Sequence, residues 1–208
     1  LSIRAVIVDF GGVLVLTQDT SGRQRWEHRL GLGEGELAEA VFNTPISLQA
    51  SLGKLPERAI WQHLVERFNL NPAQVDELEH DFWSGDRLNE QLVEFIKALR
   101  PWYRTAILSN AWSGARGIFT QEYRLDRVFD ELFISAELGL VKPDPRIYRL
   151  VTERLDVRPE ECVFLDDFKE NVAAAQQAGM KAILFRSTQQ AIADMTALLD
   201  HVPNAKVG

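Results

Sequence analysis

With 208 residues, 46% of them hydrophobic and 25% charged, the chain has the make-up of an ordinary globular protein, built as one large domain or two unequal ones. Its formal net charge of −7 argues against a nucleic-acid-binding surface and against anionic membranes. No apolar run reaches membrane-spanning length, Arg4 and Asp9 interrupt the N-terminal one, and the lone Cys162 permits no internal disulfide, which points to a reducing cytoplasm.

Ala5 to Val8 is a short apolar run rich in β-branched residues, the signature of a strand buried on both faces. It ends on Asp9, and Gly11 and Gly12 then let the backbone turn sharply. From Thr17 to about Asp86 the pattern predicts helices and no strand. They are Arg23 to Leu30, Glu36 to Phe42 halted by Pro45, one opened by Pro56, and one capped by Asn71-Pro72. Four short amphipathic helices in a row suggest a small bundle inserted after the first strand. The alternation then resumes. Strands are predicted at Thr105 to Leu108, Leu132 to Ile134, Cys162 to Leu165 and Ala182 to Phe185. Helices are predicted at Glu90 to Leu99, through Phe119 and Tyr123, and at Pro145 to Leu155, Asn171 to Ala178 and Ala191 to Leu199. This order implies an α/β core with a doubly wound parallel sheet, Rossmann-like in its alternation. The expected division is a core of residues 1–16 and 87–208 and a helical-bundle cap of residues 17–86, hinged near Leu16-Thr17 and Arg87-Leu88.

Three strands end in small or acidic residues: Asp9, Ser109-Asn110 and Asp166-Asp167; Lys142 sits in the loop after a fourth. Parallel strands bring their C-terminal ends to one edge, so these groups should converge. Two like charges about 4 Å apart cost about 4 kcal/mol at an effective dielectric of ~20. Three carboxylates against one lysine therefore call for a divalent cation, and an all-oxygen site suits Mg²⁺. An aspartate free to attack phosphorus could form an aspartyl phosphate. Taken singly the residues have blander uses: Asp9 and Asp166-Asp167 as caps, Ser109-Asn110 as a turn, and Lys142 as a solvated side chain.

In combination these stretches resemble the haloacid dehalogenase-like (HAD) superfamily, over essentially the whole chain. The matching stretches are Val-Asp-Phe-Gly-Gly-Val-Leu at Asp9, Leu-Ser-Asn at Ser109, Glu-Leu-Gly-Leu-Val-Lys-Pro-Asp-Pro at Lys142 and Phe-Leu-Asp-Asp-Phe-Lys-Glu-Asn at Asp166 and Asp167. The resemblance implies catalytic roles for Asp9 as nucleophile, Ser109 as holder of the transferring group and Lys142 as its electrostatic partner. It implies Mg²⁺ held by Asp9, the Gly11 carbonyl, Asp167 and Asp166, and substrate contacts from Gly12, Ser109, Asn110 and Lys142. It further implies a phosphatase of small phosphorylated metabolites, with a cap closing over the site.

One position departs from the pattern. Family phosphatases mostly carry an acid–base aspartate two residues after the nucleophile, and here that residue is Gly11. General acid–base catalysis is typically worth roughly 10²–10⁴-fold. This leaves two alternatives open: a phosphometabolite-binding pseudoenzyme, and a metal-independent haloacid dehalogenase, which the Asp166-Asp167 pair disfavours. His28 or Asp19 could supply the missing acid, although nothing in the pattern selects either. Trp26, Trp61, Trp83, Trp102 and Trp112 read as packing residues, and His28, His63 and His80 as solvated cap positions. Oligomeric state is open.

Overall fold

The computed structural model describes residues 2–202. A five-stranded parallel sheet forms the core. Its strands are β1 (Ala5–Val8), β4 (Arg104–Ser109), β5 (Glu131–Ile134), β6 (Cys162–Asp166) and β7 (Lys181–Leu184), in the order β5-β4-β1-β6-β7. β1 is central because all four of its side chains are apolar and fully buried. Their alternation divides them between two cores. Val6 and Val8 join α6 (Glu90–Leu99) and α11 (Thr188–Leu198) on one face. Ala5 and Ile7 join α9 (Pro145–Leu155) and, through Ala175, α10 (Lys169–Gln177) on the other. From β1 the chain builds outward through β4 to β5, then crosses back to β6 and β7 on the other side of β1. Such a reversal of strand order opens a crevice at the strand C-termini.

Between β1 and α6 lie five helices: α1 (Ser21–Leu30), α2 (Glu36–Phe42), α3 (Pro45–Ser51), α4 (Arg58–Phe68) and α5 (Pro72–Trp83). They share an apolar cluster that includes Trp26, Leu37, Ile60, Leu64, Leu78 and Phe82. The sequence pattern predicts four. The additional helix is α3, because Pro45 does more than halt α2. It occupies the first turn of a new helix, where its missing N–H is harmless, and the Thr44 side chain caps that helix by accepting from Ser47 N–H at 3.0 Å. Asn71 and Gln74 form the reciprocal capping box that opens α5.

A second departure is the ribbon at the base of the insert. β2 (Val15–Thr17) pairs antiparallel with β3 (Asp86–Leu88), Leu16 opposite Arg87. The expected hinges are thus one hydrogen-bonded ribbon, too short for a period-2 pattern to register. Thr17 donates to Asp86 at 2.7 Å, and Arg23 pairs with the same carboxylate at 3.1 Å. Gly85 is required there, since a Cβ would lie 1.7 Å from the Asp19 carbonyl oxygen. A short helical turn, α7 (Ala115–Gly117), runs into a π-helical turn at Ile118–Glu122, and α8 (Ser135–Leu138) follows β5. Among the described residues no helix is long and apolar enough to cross a membrane.

Candidate active site

The sheet brings the predicted residues together. Asp9 directly follows β1 and stays in register, its N–H donating to Leu165 O at 2.9 Å. Ser109 ends β4 and Asp166 ends β6, both buried. Lys142 reaches in from the loop after α8 and is only 3% exposed, so the solvated alternative for it fails. Its Nζ lies 2.8 Å from Asp9 Oδ1 and 2.6 Å from Asp166 Oδ2. Carboxylate oxygens of Asp9, Asp166 and Asp167 lie within 4.8 Å of one another.

Burial and charge act against each other here. Burial raises the Asp9 pKa most, the Lys142 ammonium lowers it, and Asp166 raises it again, leaving it at about 7. Burial alone would depress Lys142, but Asp9 and Asp166 outweigh it and hold the ammonium above its ordinary pKa. Asp167 is pushed up to about 6, chiefly by burial and then by Asp166. Its Oδ1 is buried without a hydrogen-bond partner among the described residues. An orphaned carboxylate oxygen beside a second carboxylate is an unmet demand for a cation. The all-oxygen donor set fits a hard divalent ion.

The structure adds partners to several of these residues. Asp166, expected as a metal ligand, offers an oxygen to the same carboxylate cluster as Asp9 and Asp167 and also accepts from three donors. Phe168 N–H donates to Oδ1 at 2.8 Å, Lys142 Nζ to Oδ2 at 2.6 Å, and Asn171 Nδ2 to both oxygens at 2.9 and 3.1 Å. These contacts make Asp166 the clamp on Lys142. Asn171 stands in the same stretch, and only its contact with Asp166 reveals its role. Its own carbonyl accepts from Tyr148 OH at 3.0 Å.

Asn110, expected to touch substrate, instead grips the Lys142 main chain. Its Nδ2 donates to Lys142 O, and its Oδ1 accepts from Lys142 N–H, both at 2.8 Å. Gly12, also expected at the substrate, spends its N–H on Val15 O at 2.9 Å. What it contributes is room: at φ +76°, a Cβ there would fall 2.2 Å from Asp167 Oδ2. Gly11 differs, for a Cβ at that position meets nothing within 4 Å.

Of the proposed replacement acids, Asp19 is exposed and accepts from Ser21 N–H at 2.8 Å, a contact that lowers its pKa. His28 lines a surface groove with Arg25, Arg29 and Glu77. Trp83 and Trp102 are not packed inside as expected, being 36% and 49% exposed. The Cys162 thiol is buried and its pKa is pushed up to about 12 by burial, so it is no nucleophile.

The chain is similar to known proteins over most of its length. A family model for haloacid dehalogenase-like hydrolases matches residues 3–179. The chain is 27% identical over 218 residues to bifunctional epoxide hydrolase 2 of Rattus norvegicus, covering 94% of this chain and 38% of that protein. It therefore spans well under half the length of that relative. It is 45% identical over 200 residues to a sesquiterpene phosphatase of Aspergillus oryzae, with 86% of this chain and 88% of that one covered. A HAD family enzyme of Bacteroides thetaiotaomicron, solved with magnesium and inorganic phosphate, superposes with a TM-score of 0.74 at 21% identity. That match covers 89% of this chain and 95% of the other.

Proposed function

The chain belongs to the haloacid dehalogenase-like hydrolases, and from that premise we propose that it is a Mg²⁺-dependent phosphatase of small phosphorylated metabolites. The observation that carries this reading is the buried Asp9–Lys142–Asp166 bridge lying beside the unpartnered oxygen of Asp167. Asp9 attacks phosphorus, forming a carboxylate O–P bond as the P–O bond to the leaving group breaks. Lys142 faces both the nucleophile and the incoming phosphoryl charge. Phe10 N–H, 2.7 Å from Asp9 Oδ1, and Lys142 together fix that oxygen. Asp9 Oδ2, which takes no hydrogen bond among the described residues, is left to react. The Ser109 hydroxyl, at the neighbouring strand end, holds a phosphoryl oxygen. Mg²⁺ would be held by Asp9, Asp167 and the Gly11 carbonyl, where it supplies charge neutralisation and Lewis acidity toward phosphoryl oxygens. Asp166 and Asn171 stand behind, positioning Lys142. The helices of residues 17–86 act as the cap, carried on the β2–β3 ribbon.

Gly11 favours one competing reading, a protein that binds phosphometabolites without turning them over. A reactive aspartate fitted with its own lysine exceeds what binding requires. The dehalogenase alternative places Asp167 and its free oxygen next to a halogenated acid anion with no cation between them, which is electrostatically unfavourable. The test is phosphate release from a panel of phosphomonoesters with Mg²⁺ or with EDTA, on wild type and Asp9→Asn. Metal-dependent release that vanishes in Asp9→Asn is expected. Equal release by the variant removes Asp9 as nucleophile.

A further inference from the structure

Aromatic side chains with no part in phosphoryl transfer meet where the insert borders the core. Trp112 lies three residues past Ser109, so their Cα atoms are at most about 11 Å apart. Its ring stacks on Phe42 with centroids 5.8 Å apart and meets Trp83 at 6.2 Å. Phe42 also lies 5.5 Å from Phe82 and 5.9 Å from Trp83. Although they join this cluster, Phe42 is 43% exposed and Trp83 36% exposed. Scattered apolar side chains on a surface are ordinary, but a contiguous, partly exposed aromatic cluster anchored on the loop that follows Ser109 is a candidate binding wall. The Trp61 indole N–H, buried next to Phe82 at 6.0 Å, has no acceptor among the described residues.

An independent observation concerns the leaving group. With glycine at position 11 there is no acid two residues from Asp9 to protonate the departing oxygen, which favours leaving groups that are stable as anions. A phenolate has a conjugate-acid pKa of about 10, whereas an alkoxide is closer to the ~15.7 of water.

We propose that this aromatic wall is the leaving-group subsite and that the substrates are aryl phosphates, the phosphomonoesters of phenols and fused-ring aromatic alcohols. The proposal rests on the phosphatase reading of Asp9. The Asp9 O–P bond forms, the P–O(aryl) bond breaks, and the phenolate departs with the electron pair. Water then cleaves the aspartyl phosphate, releasing inorganic phosphate and restoring the carboxylate.

The test uses the whole chain with Mg²⁺ and five substrates. These are phenyl phosphate, 2-naphthyl phosphate, a polyfluorinated alkyl phosphate of matched leaving-group acidity, a prenyl phosphate and acetyl phosphate. The naphthyl ester should exceed the matched fluoroalkyl ester by about tenfold in kcat/KM. Phe42→Leu and Trp83→Leu, both at partly exposed positions, should lower that ratio about three- to tenfold, mostly through KM. Melting curves check that the variants fold. Equal rates for the acidity-matched aryl and fluoroalkyl esters overturn the proposal. So does a preference for the prenyl ester that these variants abolish, because the wall then serves a flexible apolar chain. If acetyl phosphate is hydrolysed while aryl preference is absent, the subsite fails and the Asp9 reading stands. No phosphate release from any of the five sinks both.

Discussion

Replacing Lys142 by methionine, which keeps its length and removes its charge, tests the electrostatic logic of the site. At an effective dielectric of ~20, contacts at 2.8 and 2.6 Å attract by about 6 kcal/mol each. Much of this is offset by the desolvation of three buried groups. Without the ammonium, Asp9, Asp166 and Asp167 lie within 4.8 Å of one another, and each ionised pair repels by at least about 3 kcal/mol at the same dielectric. Breaking a buried pair from one side typically costs about 3–5 kcal/mol. For a chain of this size that is a fall in Tm of about 10 °C.

The loss should also depend on pH in a definite direction. A carboxylate whose folded pKa lies above its unfolded value of about 4 binds more protons when folded. Stability then falls as pH rises, by up to about 1.4 kcal/mol per pH unit per group, until the folded pKa is passed. In the wild type this window closes for Asp9 at about 7. Lys142 is what holds that value down, so in Lys142→Met the window extends higher. Thermal melts in EDTA at pH 5 and pH 8 should therefore show a small gap between the two proteins at pH 5 and a wide one at pH 8. A gap that is the same at both, or a fall of under about 3 °C at pH 8, would refute the buried bridge.

Gly11→Asp should be tolerated because its Cβ enters open space. It should accelerate alkyl phosphates by up to roughly 10²–10⁴-fold and aryl phosphates far less. Equal acceleration across leaving groups would mean that a proton already arrives from elsewhere. The first place to look would then be Glu57, a half-buried carboxylate whose pKa is raised by burial and whose Oε2 lies close to Gly114, beyond Trp112. Gly12→Ala should lower both Tm and Mg²⁺ affinity, since its Cβ falls 2.2 Å from Asp167 Oδ2 at a left-handed φ; a variant unchanged in both would show that Asp167 swings aside freely. Mg²⁺ affinity should climb with pH up to about 7, because Asp9 and Asp167, at about 7 and about 6, must shed protons to bind it. Calorimetry in buffers of different ionisation enthalpy should register proton release at pH 6, and its absence would contradict the assignment. Asp167→Asn should bind Mg²⁺ more weakly at every pH in the same titration.

The sequence by itself determined the α/β core, because a run such as Ala5–Val8 has no stable place except a sheet covered on both faces. It also determined which residues converge, since parallel strands deliver Asp9, Ser109 and Asp166 to one edge whatever the loops do. What these residues do to one another was decided only in three dimensions. Asp166 and Asp167 are neighbours in sequence and look equivalent, yet successive positions leaving a strand face different ways. One is held by Lys142, Phe168 and Asn171, while the other keeps a bare oxygen. Asn110 and Gly12 read as substrate contacts because their motif neighbours are, but folding turns the one onto the Lys142 main chain and packs the other against Asp167. The ribbon of Val15–Thr17 with Asp86–Leu88 joins segments about seventy positions apart, and three residues carry too little periodicity to reveal it. Nor does any local pattern place Trp112 of the β4 loop against Phe42 and Trp83 of the insert. That contact joins the insert to the loop after β4, a long-range closure that no short window of sequence encodes.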